Sequence, residues 1–271
     1  MSINQAIIDL KHTLYVPTSR GYAPVKGAQE FLRALESAQF PYVFSANSSF
    51  QSQEDLGQAL AISGLHIDVT KIVHPFEVSI PFLQNRGVDY VYLVSSNNDL
   101  AHAFRRSGFS VANAYEPHMR GKGAIVVGYS KRFETSLQHA INFAWSKDVD
   151  IVSLNGKTYR TKARNKITWD ALSTANFIAE VARKKEVLVV GKPSKVYYEH
   201  ILNRRLPSND PKKTIAIGDS PQIDLKTPKM LFGMETAFIR SPRRPVLKEE
   251  HKGFVDQEVS SLEDIAKILG I

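Results

Sequence analysis

Short apolar runs alternate with amphipathic ones along the chain, and that alternation predicts an α/β protein. Ala6–Leu10 is an apolar run of strand length. Gly27–Ala38 carries Ala28, Phe31, Leu32 and Leu35 on one helical face, and Tyr42–Phe44 is apolar again, so the three make a βαβ unit. Ser52 with Glu54 and Asp55 opens a further helix that runs through Leu60 and closes near Gly64, where glycine can take a positive φ. The middle of the chain keeps the rhythm: strand Tyr90–Val94, helix Asp99–Arg106 ending at Gly108, strand Ala124–Val127, helix Glu134–Trp145 and strand Ile151–Leu154. Helix Ala171–Arg183, strand Val187–Val190, helix Lys195–Leu202, strands Thr214–Ile217 and Thr236–Ile239, and helix Ser261–Leu269 complete the pattern. Strands alternating with helices imply parallel sheets covered on both faces.

In such sheets the reacting groups stand at the carboxyl ends of the strands, and four strand ends here carry polar residues suited to phosphate chemistry. The first strand ends Ile8-Asp9-Leu10-Lys11-His12-Thr13, which puts a carboxylate at a sheet edge. The second, Tyr42-Val43-Phe44-Ser45-Ala46-Asn47-Ser48-Ser49, delivers a hydroxyl and an amide of the kind that bind phosphate oxygens. Val190-Gly191-Lys192-Pro193-Ser194 ends at a lysine able to neutralise a phosphoryl group. Ile217-Gly218-Asp219-Ser220-Pro221-Gln222-Ile223-Asp224 has a glycine for a tight turn, then two carboxylates spaced to hold Mg²⁺. Singly, each segment reads more readily as a turn or surface loop. Their ordered conjunction is what coincidence explains poorly.

With these segments the chain resembles the haloacid dehalogenase superfamily, in its branch of p-nitrophenyl phosphatases and NagD-like nucleotide or sugar phosphatases, over nearly its whole length. Val25-Lys26-Gly27-Ala28-Gln29-Glu30-Phe31-Leu32 is similar to the family's first helix. The resemblance implies a Rossmann-like core with a parallel sheet, residues 1–76 and 185–271, and an inserted α/β cap, residues 77–184. It implies that Asp9 is the attacking carboxylate, that Ser45, Ala46, Asn47 and Lys192 hold the phosphoryl group, and that Asp9, the Lys11 backbone carbonyl, Asp219 and Asp224 hold Mg²⁺. It also implies a homodimer through the cap.

The chain departs from the family at Lys11, where an aspartate normally protonates the leaving group and then activates water. An ammonium cannot do both. A positioned general acid/base is worth about 10²- to 10⁴-fold in rate. A positive charge about 4 Å from a cation site shifts the energy by roughly 4 kcal/mol per unit pair at an effective dielectric near 20, so weakened Mg²⁺ binding is expected. Lys11 paired with Asp9 would take the metal's place. His12 stands where the family prefers glycine, and its imidazole is a candidate substitute acid/base, with a side chain expected to point away from the nucleophile. Ala46 replaces the first asparagine of a Thr-Asn-Asn sequence. In the cap, Leu154-Asn155-Gly156-Lys157 aligns with Thr-Asn-Pro-Asp, which makes Asn155 and Lys157 candidate substrate contacts and turns the substrate-facing aspartate into Lys157.

Composition narrows the choice only in places. The 271 residues, 43% hydrophobic and 23% charged, are those of an ordinary globular protein with room for two domains. Cysteine is absent, which excludes disulfides, thiolate metal sites and thiol nucleophiles. No apolar run approaches the roughly 20 residues of a membrane span, no charged-then-apolar leader precedes the first strand, and a cytoplasmic protein is expected. The net charge of +8 favours anionic partners. Lys157, Arg160, Lys162, Arg164 and Lys166 form a basic cluster without an intervening acid, read either as a solvated face or as an anion-binding cap surface. Arg240-Ser241-Pro242-Arg243-Arg244-Pro245 is a second basic loop, to which no ligand is assigned.

The expectation is a phosphatase-type protein that binds a phosphorylated or anionic small molecule, with catalysis weak or lost. Three alternatives stand beside it: an active Mg²⁺-dependent phosphomonoesterase acting through Asp9; a metal-free hydrolase, disfavoured by the retained Asp219 and Asp224; and an RNA-binding or scaffold protein using the basic cap, for which aromatic residues are sparse.

Overall fold

The structure is a computed structural model that describes residues 3–19, 21–47, 53–112, 120–130, 134–161 and 167–271. The chain divides into two compact units, one of Met1–Ala46, Ser52–Val73 and Tyr197–Ile271, the other of Asn47–Gln51 and His74–Val196. In chain order the first unit contributes β1 (Gln5–Asp9), β2 (Tyr15–Thr18), β3 (Gly21–Pro24), α1 (Ala28–Ser37), β4 (Tyr42–Ser45), α2 (Gln53–Ile62) and β5 (Ile72–Val73). The second follows with α3 (Pro75–Asn85), β6 (Tyr90–Val94), α4 (Asn98–Arg106), β7 (Ser110–Ala112), β8 (Gly123–Val127), α5 (Glu134–Ser146) and β9 (Val149–Ser153). It continues through β10 (Tyr159–Thr161), β11 (Ile167–Trp169), α6 (Ala171–Val181) and β12 (Leu188–Val189). From α7 (Lys195–Arg204) the chain returns to the first unit with β13 (Thr214–Gly218), α8 (Lys226–Phe232), β14 (Glu235–Ile239), β15 (Gln257–Val259) and α9 (Leu262–Leu269).

The first unit is built on a six-stranded parallel sheet in the order β15-β14-β13-β1-β4-β5. Alternate residues of its strands face opposite ways. Ala6 and Ile8, Tyr42 and Phe44, Ile215 and Ile217, and Ala237 and Ile239 share one buried cluster with Phe31, Leu32 and Leu35 of α1 and Leu262, Ile265 and Leu269 of α9. On the opposite face Ala216 and Phe238 pack with Leu225, Leu247 and Phe254. Burial on both faces is why these strands are almost continuously apolar. The register sets Asp9 beside Ser45 and Ile8 beside Ile217, so the carboxyl ends of β4, β1 and β13 lie next to one another.

The second unit has its own five-stranded parallel sheet, order β12-β9-β8-β6-β7, and an antiparallel hairpin β10–β11. Tyr90, Tyr92, Ile125, Val127 and Ile151 of the sheet pack with Ala140 and Phe143 of α5 and Ala175 and Ile178 of α6. Leu188 and Val189 pair in parallel with Val152 and Ser153. That pairing carries residues 185–196 into the second unit, whereas the sequence reading assigned them to the first domain. The helix α3 was not anticipated either. Pro75 suits its first turn, but Pro81 inside it breaks the sequence signal. Among the described residues no helix is long and apolar enough to cross a membrane.

Tyr197 ties the tip of β4 to its neighbour. It is fully buried, and its hydroxyl accepts from the Ala46 N–H at 3.1 Å and donates to the Val73 carbonyl at 2.7 Å. Ala46 N–H also donates to the Val73 carbonyl at 3.1 Å. Removing the hydroxyl takes away a hydrogen bond from backbone groups that still bond each other, which costs about 0.5–1.5 kcal/mol. Tyr197→Phe is therefore expected to lower the urea midpoint of the first unit with an unchanged m-value, read by fluorescence and circular dichroism.

Candidate active site

Asp9 ends β1, Asp219 directly follows β13, and Asp224 lies in the single π-type turn Pro221–Leu225 that follows. All three are buried, and one carboxylate oxygen from each lies within 4.8 Å of the others. The sheet register accounts for the meeting of Asp9 with Asp219, since their strands are paired neighbours. Asp224 arrives through the turn, whose amides at Ile223 and Asp224 donate to the Ser220 carbonyl at 3.0 and 2.7 Å. The Tyr198 hydroxyl, 3.1 Å from the Asp224 carbonyl and 3.2 Å from that of Ile223, holds the turn from below.

Each carboxylate has a donor of its own. Thr13 Oγ1 donates to Asp9 Oδ2 at 3.2 Å, and the Ser220 N–H donates to Asp224 Oδ2 at 3.1 Å. Asp219 Oδ2 accepts from Ser241 Oγ and from Arg244 Nη1, both at 3.1 Å. Gly218 makes room for this arrangement. A Cβ there would lie 2.6 Å from Asp224 Cβ and 2.9 Å from its carboxylate.

The loop after β1 turns back at once. His12 donates its N–H to the Tyr15 carbonyl at 2.6 Å and adopts φ 72°, a left-handed conformation that glycine takes without cost. Lys11 is exposed and His12 half-buried. Ser45 is buried at the tip of β4. The Ala46 N–H, expected to face phosphate, is instead donated to Val73 and Tyr197, so this amide has no hydrogen left to offer a ligand. Ser48 and Ser49 lie outside the described residues.

The other expected site residues belong to the second unit. Lys192 is buried there, and its carbonyl accepts from Asn47 Nδ2 at 3.1 Å and from the Gly156 N–H at 3.0 Å. Asn155 is fully buried, donates from Nδ2 to Asp170 Oδ1 at 3.1 Å, and accepts the Lys157 N–H at 3.0 Å. Its amide is thus part of the scaffold that shapes the Lys157 turn. The basic cluster needs a correction. Arg160 grips buried Asp170 through Nε at 2.6 Å and Nη2 at 3.1 Å and stacks 4.2 Å from the Tyr129 ring. The acid missing from the linear run comes from beyond it. Lys162, Arg164 and Lys166 lie outside the described residues.

Arg244 and Ser241 are the site residues that sequence reasoning missed. Their loop follows β14, and β14 lies beside β13 in the sheet, so the adjacency of the two strand ends was the available signal.

The family model of haloacid dehalogenase-like hydrolases matches residues 6–110. The chain is 20% identical to ribonucleotide monophosphatase NagD of Escherichia coli strain K12 over 241 residues, 89% of each protein. A p-nitrophenyl phosphatase from Archaeoglobus fulgidus superposes with a TM-score of 0.79 at 18% identity, covering 98% of this chain and 99% of its own. A 4-nitrophenylphosphatase from Thermotoga maritima gives 0.81 at 19% identity, with 98% and 97% covered. Over residues 6–110 the chain is thus similar to the haloacid dehalogenase-like hydrolases. Its fold is the one seen in the NagD and p-nitrophenyl phosphatase structures.

The close approach at Gly218 supplies a test of the carboxylate geometry. Gly218→Ala must push Asp224 and its turn outward, and overpacking of this kind costs about 1–3 kcal/mol. The variant is expected to unfold at lower denaturant concentration than the wild type and to lose any stabilisation that Mg²⁺ gives it, both measurable in one set of melts.

Proposed function

We propose that the chain binds a phosphorylated or anionic small molecule at the strand ends of its first unit and hydrolyses it far more slowly than its fold would allow. The observation that carries this reading is the contrast within one loop. Asp9 remains clustered with Asp219 and Asp224, while position 11 presents an exposed lysine in place of a second carboxylate.

The donor set fits a hard divalent cation, because carboxylate oxygens from three residues converge in a buried site. Asp9, Asp219, Asp224 and the Lys11 carbonyl would hold Mg²⁺, which when bound neutralises charge on the phosphoryl oxygens. Asp9 is oriented by the Thr13 hydroxyl for attack on phosphorus. Departure of the alcohol then needs a proton, and breakdown of the aspartyl phosphate needs a base to activate water. A carboxyl group can serve in both steps by cycling its proton. A lysine ammonium is a far weaker acid than a carboxylic acid, so it protonates the leaving alcohol poorly and seldom becomes the free amine needed to activate water, and the loss is about 10²- to 10⁴-fold. The NagD and p-nitrophenyl phosphatase names of the relatives support phosphate esters as the ligand class.

Hydrolysis of p-nitrophenyl phosphate and a panel of phosphometabolites, with and without Mg²⁺, tests the reading. The wild type is expected to be nearly silent, Asp9→Asn fully so, and Lys11→Asp faster than the wild type by about 10²-fold or more. Brisk wild-type turnover that vanishes in Asp9→Asn would instead identify an active Mg²⁺-dependent phosphomonoesterase.

A further inference from the structure

Arg244 holds the same carboxylate that a metal would need. Its guanidinium, always protonated, lies 3.1 Å from Asp219 Oδ2 and 3.5 Å from the Asp219 carbonyl. The acid side chain is 4% exposed and the arginine 34%, so the pair sits at the edge of the buried cluster with its anionic half inside. The contact is built by the local fold. Ser241 N–H donates to the Arg244 carbonyl at 3.1 Å and Arg244 N–H returns a bond to the Ser241 carbonyl at 2.9 Å, closing a tight turn directly after β14. Within that turn Ser241 Oγ accepts from the Arg244 N–H at 3.2 Å and donates to Asp219 Oδ2 at 3.1 Å. The turn therefore delivers two donors to one carboxylate oxygen, and prolines at 242 and 245 limit its freedom to move away.

From this geometry we propose that Arg244 is an internal counter-cation that competes with a divalent metal for Asp219 and keeps the carboxylate cluster in a metal-free form. The proposal rests on the reading of Asp9, Asp219 and Asp224 as the metal site. A guanidinium bonded to a carboxylate and a dication ligated by it repel across a few ångströms, and burial leaves that repulsion weakly screened. Metal entry thus requires the Ser241–Arg244 turn to give up its hold. Without metal, the same hold offsets one of three negative charges that are otherwise costly to bury. Arg244 so sets how readily this site takes a cation, independently of Lys11.

The test is Mg²⁺ titration by calorimetry, with melting temperatures taken with and without Mg²⁺. The proteins are the wild type, Arg244→Gln, Lys11→Asp, the double variant Lys11→Asp/Arg244→Gln, and the double variant with Asp224→Asn added. Arg244→Gln is expected to melt below the wild type without metal and to gain more from Mg²⁺. The double variant is expected to bind Mg²⁺ at least about tenfold more tightly than Lys11→Asp alone. Arg244→Met, neutral and of similar length, is expected to act in the same direction should the glutamine variant fold poorly. Equal Mg²⁺ affinity with and without Arg244 in the Lys11→Asp background overturns the proposal while leaving the metal site intact, provided Asp224→Asn abolishes binding. Mg²⁺ binding that ignores Asp224→Asn, or no binding by any variant, overturns the metal reading itself and this proposal with it.

Discussion

Three buried carboxylates with oxygens inside 4.8 Å repel one another, and the surroundings of the strand ends are organised around that repulsion. At such separations each like-charged pair costs roughly 3–4 kcal/mol at an effective dielectric near 20. A whole domain is stable by only about 5–15 kcal/mol. The charges must therefore be offset locally, and the structure offers every one of them a donor: the Thr13 hydroxyl for Asp9, the Ser220 amide for Asp224, and Ser241 with Arg244 for Asp219. At Asp219 one of these donors, the Arg244 guanidinium, brings a full positive charge.

Such a cluster persists because the backbone beneath it has little freedom to relax. β1 sits between β4 and β13 with both faces buried, and slipping its register by one residue would turn its side chains to the wrong layers. Tyr197 fixes the end of β4 against β5, and Tyr198, adjacent on α7, fixes the turn that carries Asp224. One helix thus braces, through two consecutive tyrosines, two of the strand ends that meet at Asp9. Gly218 completes the arrangement by leaving out the side chain that would hold Asp224 away. Packing supplies the confinement, and hydrogen bonds make the confined charges tolerable.

Much of this fold is legible in the chain because burial on both sheet faces writes itself as apolar runs, and the strand ends then mark where polar chemistry gathers. The strands containing Asp9 and Ser45 and the one before Asp219 were recovered in this way. Short or irregular elements escaped for physical reasons. β5 has two residues, the hairpin β2–β3 carries prolines at 17 and 24, and Pro81 interrupts the signal of α3. The partnership of Asp170 with Arg160 was hidden because the acid lies outside the basic run, at the N-terminus of α6, where it also caps the helix. Arg244 was visible as a residue but not as a ligand. Its role depends on which strands are neighbours, and periodicity along the chain gives no strand order.

The distinction between Lys11 and Arg244 follows from the same point. Compared motif by motif, Lys11 is the conspicuous departure, standing where the resemblance implies an aspartate. Lys11 stands exposed on the loop after β1. Arg244 touches a carboxylate that is itself buried, and its charge acts on the cluster through low-dielectric surroundings and a direct bond. The proposal at position 11 bears on the rate of a chemical step. The proposal for Arg244 bears instead on whether the carboxylate cluster takes a cation at all. A carboxylate restored at position 11 therefore tests the first proposal and leaves the second untouched, because the two act on different requirements of the same site.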